Sequence, residues 1–381
     1  MMHIHQFICT FAAKITVMYD QIREDTLYIM LYTVVMAMAI IASCYLLFRR
    51  ANAIAPDITS SARLRRWTGV FFASIALNHV WYMPVFFLSS SEDIVMTDLI
   101  GGLLDFMTVF PLAIAVLFVM LQDRRRPLWP VAVMMAPIVA AGLFSVATRS
   151  YALQSIVYAY SLLMCIGLVI YFVHALRQYG RWLRDNYADL EHKEVWQSFV
   201  VLAIMLLVFG IYAFIYRGVA YQYVMQVILV VLICHLLWRV ETLNELSMPV
   251  NDTEEEAQAP THGSSLTLRN DIGPLLKKHC EEPQLYLQHD LNLLQLATEI
   301  GINRSYLSKH FASQGITYNT YINGLRIQHF VNLYRKSAAN HQPITAQELA
   351  YQSGFRSYNT FSVAFKKRMG MTATEWMRLT E

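Results

Sequence analysis

The chain has 381 residues, of which 56% are hydrophobic and only 15% are charged, whereas soluble domains carry about a quarter charged residues. Its mean hydropathy is +0.37 and its apolar excess lies in the first 240 positions, so a wholly soluble protein is not expected. The five cysteines are odd in number and lack paired spacing, which argues against a disulfide or zinc framework. No metal or cofactor is expected.

Residues 1–25 are mildly apolar but are interrupted by charged residues, among them Lys14 and Arg23. No small-residue cleavage site follows this stretch, so it does not have the pattern of a signal peptide. We interpret it as a short external tail.

Seven apolar segments follow, each near the roughly 20 residues that cross a bilayer as a helix. They lie at about 26–48, 67–89, 99–121, 128–147, 152–175, 196–216 and 219–238. The pattern predicts an all-α protein with a seven-helix transmembrane bundle over residues 26–240.

Positive charge alternates between the segments that connect these spans. The loops after the first, third and fifth spans hold 12 Lys and Arg residues, against four in the tail and the remaining loops. Cytoplasmic loops are the ones enriched in Lys and Arg. The sequence therefore predicts a multi-pass membrane protein with its N-terminus outside and its C-terminal domain in the cytoplasm.

Several polar side chains fall inside the predicted spans. Because such groups are costly in a membrane, they are functional candidates. We regard the following residues as a candidate membrane signal site: Asn78, His79, Asp105, Gln222 and Gln226. The alternative is that these groups bond to one another and hold the helices together.

The chain becomes polar after the last span. Residues 241–270 contain an acidic stretch without helical or strand periodicity and are predicted to be a flexible linker. From Leu266 onward the chain holds 13 Lys and Arg against 8 Asp and Glu. Residues 271–381 are therefore a basic domain, and such a charge balance suits a phosphate backbone.

The basic domain contains two helix-turn-helix patterns. In the first, Leu307 and Phe311 share an inward face, and Ser305, Ser308 and Lys309 lie on the outer side. In the second, a tight turn at Gly354 precedes a helix in which Phe361, Phe365 and Met369 recur every four residues. Two such motifs in one small domain predict a nucleic-acid reader.

These residues resemble the AraC/XylS-type transcription regulators, over roughly Leu287 to Met377. The likeness includes Ser-Tyr-Leu-Ser-Lys-His-Phe at 305–311 and Leu-Ala-x-x-x-Gly-Phe at 349–355. It is completed by Gly315, Tyr321, Leu325-Arg326, Phe361, Ala364-Phe365-Lys366, Gly370 and Trp376. The resemblance implies two recognition helices in successive major-groove segments, a joining helix around Tyr318 to Ser337, and action as a homodimer. It also implies a bacterial protein, so that the expected membrane is the bacterial inner (cytoplasmic) membrane.

The chain departs from the family pattern at three positions. Phe330 stands where a small alanine is usual, and Ala373 where a proline is usual. Val363 replaces the arginine that the second recognition helix commonly carries. The last change removes a donor for a base or a phosphate.

The outer faces supply the candidate DNA contacts. Candidate phosphate contacts are Lys309, Arg326, Arg356, Lys366 and Lys367, candidate base-edge contacts are Ser305, Ser308, Asn359 and Ser362, and Thr360 completes the set. The Asn359 amide is the foremost candidate because it can pair bidentately with adenine. The alternative is that each of these side chains is solvated surface, and that Arg326 is a structural brace.

Three functions remain open from the sequence. The first is a one-component transcription regulator that senses a signal in the membrane and binds DNA, with double-stranded promoter DNA, RNA polymerase, lipid and an unknown small-molecule or membrane signal as its partners. The second is a membrane enzyme or transporter with an attached regulatory domain, although no catalytic or phosphate-binding motif is present, so an enzyme is not expected. The third is a membrane tether for a constitutive regulator.

Overall fold

The computed structural model describes residues 16–215, 218–246, 272–340 and 344–380. Every regular element in these ranges is helical, and the only extended pairings among them are two isolated bridges, Ser60 with Asn244 and Tyr187 with Asn292. The prediction of an all-α protein is confirmed. The chain divides into two compact units, one formed by Met1–Leu176 with Val195–Ser247 and the other by Arg177–Glu194 with Met248–Glu381. We call them the apolar unit and the C-terminal unit.

Eight helices account for the predicted spans. They are α1 (Thr26–Phe48), α2 (Ala62–Tyr82), α3 (Ser91–Met107), α4 (Val109–Met120), α5 (Trp129–Thr148), α6 (Gln154–Asn186), α7 (Trp196–Ile215) and α8 (Val219–Thr242). A short 3-10 turn, Met83–Phe86, follows α2, and α3 and α4 together form one apolar stretch. The Asp25 side chain caps α1 by accepting a hydrogen bond from the Tyr28 amide at 3.1 Å.

Six helical stretches are long and apolar enough to cross a membrane, judged by length and composition among the described residues. These stretches are α1, α2 with its 3-10 turn, α3 with α4, α5, α6 and α8. Helix α7 occupies the position of the sixth predicted span, but its apolar part, Trp196–Val208, is shorter than the others. The predicted number of seven is therefore approximate.

Helix α6 differs most from its predicted bounds, because it runs to Asn186 rather than ending near residue 175. Tyr179 and Leu183 are one turn apart and both are buried. An apolar stripe thus continues at helical spacing among the charged residues of this stretch, and it sustains the helix beyond the hydropathic segment. The last ten residues of α6 belong to the C-terminal unit.

The predicted tail and linker lie largely outside the described residues. Residues 1–15 and 247–271 are not described, whereas residues 16–24 are helical. The first residues of the predicted linker, 241–246, are ordered against the α1–α2 loop. The Glu241 carboxylate is fully buried and accepts hydrogen bonds from the amides of Ala53 and Ile54 at 3.1 and 2.7 Å.

Among its described residues, the C-terminal unit contains seven more α-helices. They are α9 (Ile272–Leu276), α10 (Leu293–Ile300), α11 (Arg304–Ser313), α12 (Tyr318–Ala339), α13 (Ala346–Gln352), α14 (Tyr358–Met369) and α15 (Ala373–Thr380). Two hydrophobic clusters form its core, one around α10 and α11 and the other around α13 to α15. Helix α12 contributes residues to both clusters, so it joins the two halves of the unit.

Candidate nucleic-acid interface

Helices α10 and α11 form the first helix-turn-helix. Asn292 caps α10 in a reciprocal box with Gln295, each backbone amide donating to the other side chain at 2.9 Å. Gly301 ends α10 with φ of +77°, a left-handed conformation that favours glycine. The Asn303 side chain then accepts a hydrogen bond from the Ser305 amide at 2.7 Å and starts α11. The turn between the two helices is therefore specified locally.

Helix α11 separates its buried and exposed faces as the sequence predicts. Leu307 and Phe311 are buried in the first core cluster. Lys309 is exposed, and Ser305 and Ser308 are partly exposed. The polar side chains predicted to contact DNA thus share the outer face of one short helix.

Helices α13 and α14 form the second helix-turn-helix. The Thr345 side chain and Glu348 form a capping box at the start of α13. Gly354 has φ of +87°, and a Cβ atom at this position would lie 2.7 Å from the Leu287 Cα, so both the conformation and the packing require glycine. Ser357 then caps α14 by accepting a hydrogen bond from the Thr360 amide at 3.2 Å.

Helix α14 buries Phe361 and Phe365 and exposes a polar and basic face. Asn359, Lys366 and Lys367 are exposed, and Ser362 and Thr360 are partly exposed. Val363 is 64% exposed between Asn359 and Lys367 on this face. The departure from the family pattern therefore places an apolar side chain in the middle of the second candidate reading surface.

Arg356 precedes α14 and forms an ion pair with Asp290, with 3.0 Å between Nη1 and Oδ1. Both side chains retain considerable exposure, at 34% and 68%. An exposed pair of this kind contributes about 0–1 kcal/mol to stability. The Arg356 guanidinium can consequently exchange this partner for a phosphate at little cost.

Arg326 is a brace inside the C-terminal unit. Its side chain is fully buried, and its Nε and Nη2 atoms donate hydrogen bonds to the carbonyls of Tyr286 and Gln288 at 2.7 and 2.6 Å. Burial lowers the pKa of the guanidinium, with Tyr318 acting in the opposite direction. The interpretation of Arg326 as a phosphate contact is therefore replaced by its alternative, a structural role.

Sequence reasoning missed that residues 177–194 pack with the helix-turn-helix motifs. Asn186 contacts Arg304 at the start of α11, and Asp189 and Glu191 contact Thr360 near the start of α14. Hydropathy classified this stretch as a loop between spans. The helical spacing of Tyr179 and Leu183 was the one available signal that it forms more than a connection.

In the apolar unit, the candidate signal residues form two groups. The Asn78 amide donates to Asp105 Oδ1, and the Trp81 indole and the Tyr82 hydroxyl donate to the same carboxylate, each at 3.3 Å. One carboxylate thus receives three donors from α2, which satisfies most of its hydrogen-bonding capacity.

The second group joins α2 to α8 and α1. His79 is buried, its Nδ1 atom lies 2.8 Å from the Ile75 carbonyl, and its Nε2 atom lies 3.1 Å from Gln226 Oε1. The Tyr28 hydroxyl connects Gln226 to Gln222 at 3.5 and 3.4 Å. The structure therefore brings His79, Gln222 and Gln226 together and keeps Asn78 with Asp105, and these residues are hydrogen-bonded to one another.

Comparison with known proteins supports the assignment of the C-terminal region. The model of a family described as a helix-turn-helix domain matches residues 296–379. The TCP pilus virulence regulatory protein of Vibrio cholerae is 32% identical over 79 residues, which cover 21% of this chain and 27% of that protein. The HTH-type transcriptional activator RhaR of Salmonella heidelberg is 36% identical over 75 residues, covering 19% and 25% of the two chains. No solved structure matches the chain.

These relatives define the extent of the similarity. The chain spans about a quarter of the length of the relatives named here, and the matched part is the C-terminal domain. Residues 296–379 thus carry an AraC-type helix-turn-helix domain.

Proposed function

We propose that the protein is a membrane-embedded transcription regulator that senses a signal in its apolar unit and binds promoter DNA through α11 and α14. The observation that supports this proposal is the pair of capped helix-turn-helix motifs, each with a buried apolar face and an exposed polar face. The N-terminal residues of such recognition helices contact base edges in the major groove. Asn359, exposed and second in α14, has the side chain best suited to adenine.

A membrane location is supported by six apolar helical stretches. The distribution of Lys and Arg between connecting segments favours a cytoplasmic C-terminal domain, where DNA and RNA polymerase are available. A reporter fusion at the N-terminus tests this orientation. An N-terminus found in the cytoplasm would contradict it.

The two hydrogen-bonded groups of the apolar unit are the candidate signal site. A ligand or a membrane change acts by replacing some of these bonds, because a signal shifts a conformational equilibrium only through contacts that differ between the two states. We expect the state of the apolar unit to alter DNA binding by the C-terminal unit, with a homodimer as the active species. Replacing the apolar unit by an unrelated membrane anchor distinguishes a sensor from a tether, since unchanged gene regulation would support the tether.

DNA binding is tested by sequencing the DNA crosslinked to the full chain in cells. The test variant carries Asn359→Ala and Lys309→Ala, which remove one candidate base contact and one candidate phosphate contact. Lys336→Ala is the matched control, because Lys336 is exposed on α12 outside both recognition helices. We expect the control to retain the wild-type sites and the double variant to lose them. Equal enrichment of the same sites by both variants would refute the assignment of the reading faces.

A further inference from the structure

The segment formed by the end of α6 and the start of the connection to α7 is packed into the C-terminal unit. Tyr187 pairs with Asn292 in an antiparallel bridge, and Ala188 is fully buried in the first core cluster. The Ala188 carbonyl accepts hydrogen bonds from the side-chain amides of Asn319 and Asn323 at 2.6 and 3.1 Å. Residues 186–191 are therefore docked on α12 and on the start of α10, with their backbone engaged.

The same segment reaches the beginnings of both recognition helices. Asn186 Oδ1 accepts hydrogen bonds from Arg304, the first residue of α11, at 3.1 Å from Nε and 2.8 Å from Nη2. The Thr360 hydroxyl, on the third residue of α14, lies 3.3 Å from both Asp189 Oδ1 and Glu191 Oε2. One short segment thus holds a side chain at the N-terminal end of each candidate reading helix.

The docked segment brings negative charge to these helix ends. Asp189 is 3% exposed, and its Oδ2 atom is buried without a hydrogen-bond partner among the described residues. Lys193 is also buried, and burial lowers the pKa of its ammonium while Asp189 opposes the shift. From Asn186 to Glu194 the chain carries three carboxylates and one lysine, so the segment remains acidic.

We propose that the docked 186–191 segment and duplex DNA exclude each other, so that the protein is autoinhibited until this segment leaves the recognition helices. This inference rests on the proposed function, because it assigns a regulator to the same reading surface. A phosphate group that approaches the first turn of α14 comes near the partly exposed Glu191 carboxylate and the buried Asp189 carboxylate, and like charges repel. Arg304 and Thr360 become available to DNA when the segment undocks.

The position of the segment in the chain explains why its release can carry a signal. It begins with Asn186, the last residue of α6, and it precedes α7. These two helices correspond to the fifth and sixth predicted spans. A change in the packing of these two helices therefore acts on the docked segment through the continuous backbone. No contact between separate molecules is needed for this step.

The first experiment removes the charge without removing the segment. Full-length wild type and the variant Asp189→Asn with Glu191→Gln are compared in detergent for binding to a mixed-sequence duplex of about 30 base pairs, roughly three helical turns. We expect the variant to bind about tenfold more tightly at low ionic strength, with the difference shrinking as salt screens the repulsion. The matched control, Glu245→Gln with Glu282→Gln, removes the same charge from exposed positions outside the segment and should bind as the wild type does.

The second experiment locks the segment in place. Partners in an antiparallel bridge have Cα atoms about 4.5–5.5 Å apart, which lies inside the range of about 4.4–6.8 Å that a disulfide spans. The double variant Tyr187→Cys with Asn292→Cys should bind the same duplex at least tenfold more weakly when oxidised than when reduced, a difference within the range of measured allosteric couplings. Each single variant controls for the native cysteines and for loss of the Asn292 cap, and should not respond to oxidation.

The outcomes separate the two proposals. Equal DNA binding by the oxidised and reduced double variant would overturn autoinhibition and leave the DNA-binding function intact. Weaker binding by the charge variant would also overturn it, because the segment would then be a brace that the reading helices require. If the reduced double-cysteine variant and the charge variant both fail to bind duplex DNA at low salt, the proposed function is refuted, and the proposed autoinhibition is refuted with it.

Discussion

Replacement of Arg326 tests whether this buried cation is a brace or a DNA contact. Methionine keeps the length and the apolar stem of the side chain but cannot donate hydrogen bonds. The Arg326→Met change leaves the carbonyls of Tyr286 and Gln288 without the donors that now lie 2.7 and 2.6 Å away. We expect the C-terminal unit to lose stability.

The expected loss of stability follows from these two hydrogen bonds. A hydrogen bond to a charged group contributes about 1.5–3 kcal/mol, and replacing a buried charge by a well-packed apolar group recovers part of the desolvation cost. Two bonds with partial compensation give a net loss of about 3 kcal/mol. Arg326→Lys, which retains the charge but not the fork of donors, should lose about half as much.

The assay is hydrogen exchange of the full chain in detergent, followed by mass spectrometry of peptides from α12. A loss of about 3 kcal/mol corresponds to roughly a hundredfold faster exchange of amides that open with the unit. Peptides from α1 serve as an internal reference. Lys336→Met, an exposed substitution on the same helix, is the matched control and should change the free energy of opening by less than about 0.5 kcal/mol.

One result would refute the structural role of Arg326. If Arg326→Met leaves exchange in α12 unchanged and yet weakens DNA binding, Arg326 acts on DNA and the buried conformation is not the one that binds. Faster exchange confined to α1 would indicate a change in the apolar unit instead.

Three further predictions concern the same domain. Phe330→Ala should destabilise the C-terminal unit by about 3–5 kcal/mol, because Phe330 is fully buried and its ring centroid lies 4.6 Å from that of Phe361 and 5.4 Å from that of Phe365. Hydrogen exchange of α14 measures this loss, and near-wild-type exchange would show that the usual alanine fits equally well. Val363→Arg should tighten binding to duplex DNA and steepen its salt dependence by about one counterion, whereas an unchanged salt slope would place Val363 away from the backbone. Hydrogen bonds from the Thr345 amide and hydroxyl lower the pKa of Glu348 below its usual 4.5. This carboxylate therefore stabilises the fold above pH 4.5, and its contribution is lost as the pH falls through the folded pKa. The destabilisation caused by Glu348→Gln, measured by denaturant titration, should be largest near neutral pH and vanish in acid.

Sequence periodicity was sufficient to predict that the described parts of both units are helical. Apolar segments of bilayer length predicted the positions of the long helices, because hydropathy over a window of this size depends on composition alone. The two helix-turn-helix motifs could also be predicted, since their caps and turns depend on residues that are close in sequence. Gly354 and Gly301 mark the turns by a backbone conformation that other residues rarely adopt.

The helix bounds were harder to predict where charged residues lie within a helix. Hydropathy placed the start of the second span near residue 67, whereas α2 begins at Ala62. Arg65 lies in its first turn and is buried beside Glu241, with 3.9 Å between Nη1 and Oε1. Hydropathy assigns a charged residue of this kind to a loop, although the residue is buried in an ion pair and its backbone is helical.

What the sequence by itself determined was therefore local and periodic: the helical class, the positions of the apolar stretches, the basic C-terminal domain and the polar faces of α11 and α14. Tertiary structure alone decided that Arg326 is an internal brace and that Asp189 and Glu191 lie beside Thr360. Those pairs are separated by about forty residues in the first case and by more than 160 in the second. No residue pattern within a helix or a turn encodes a contact of such separation, because it exists only once the chain has packed.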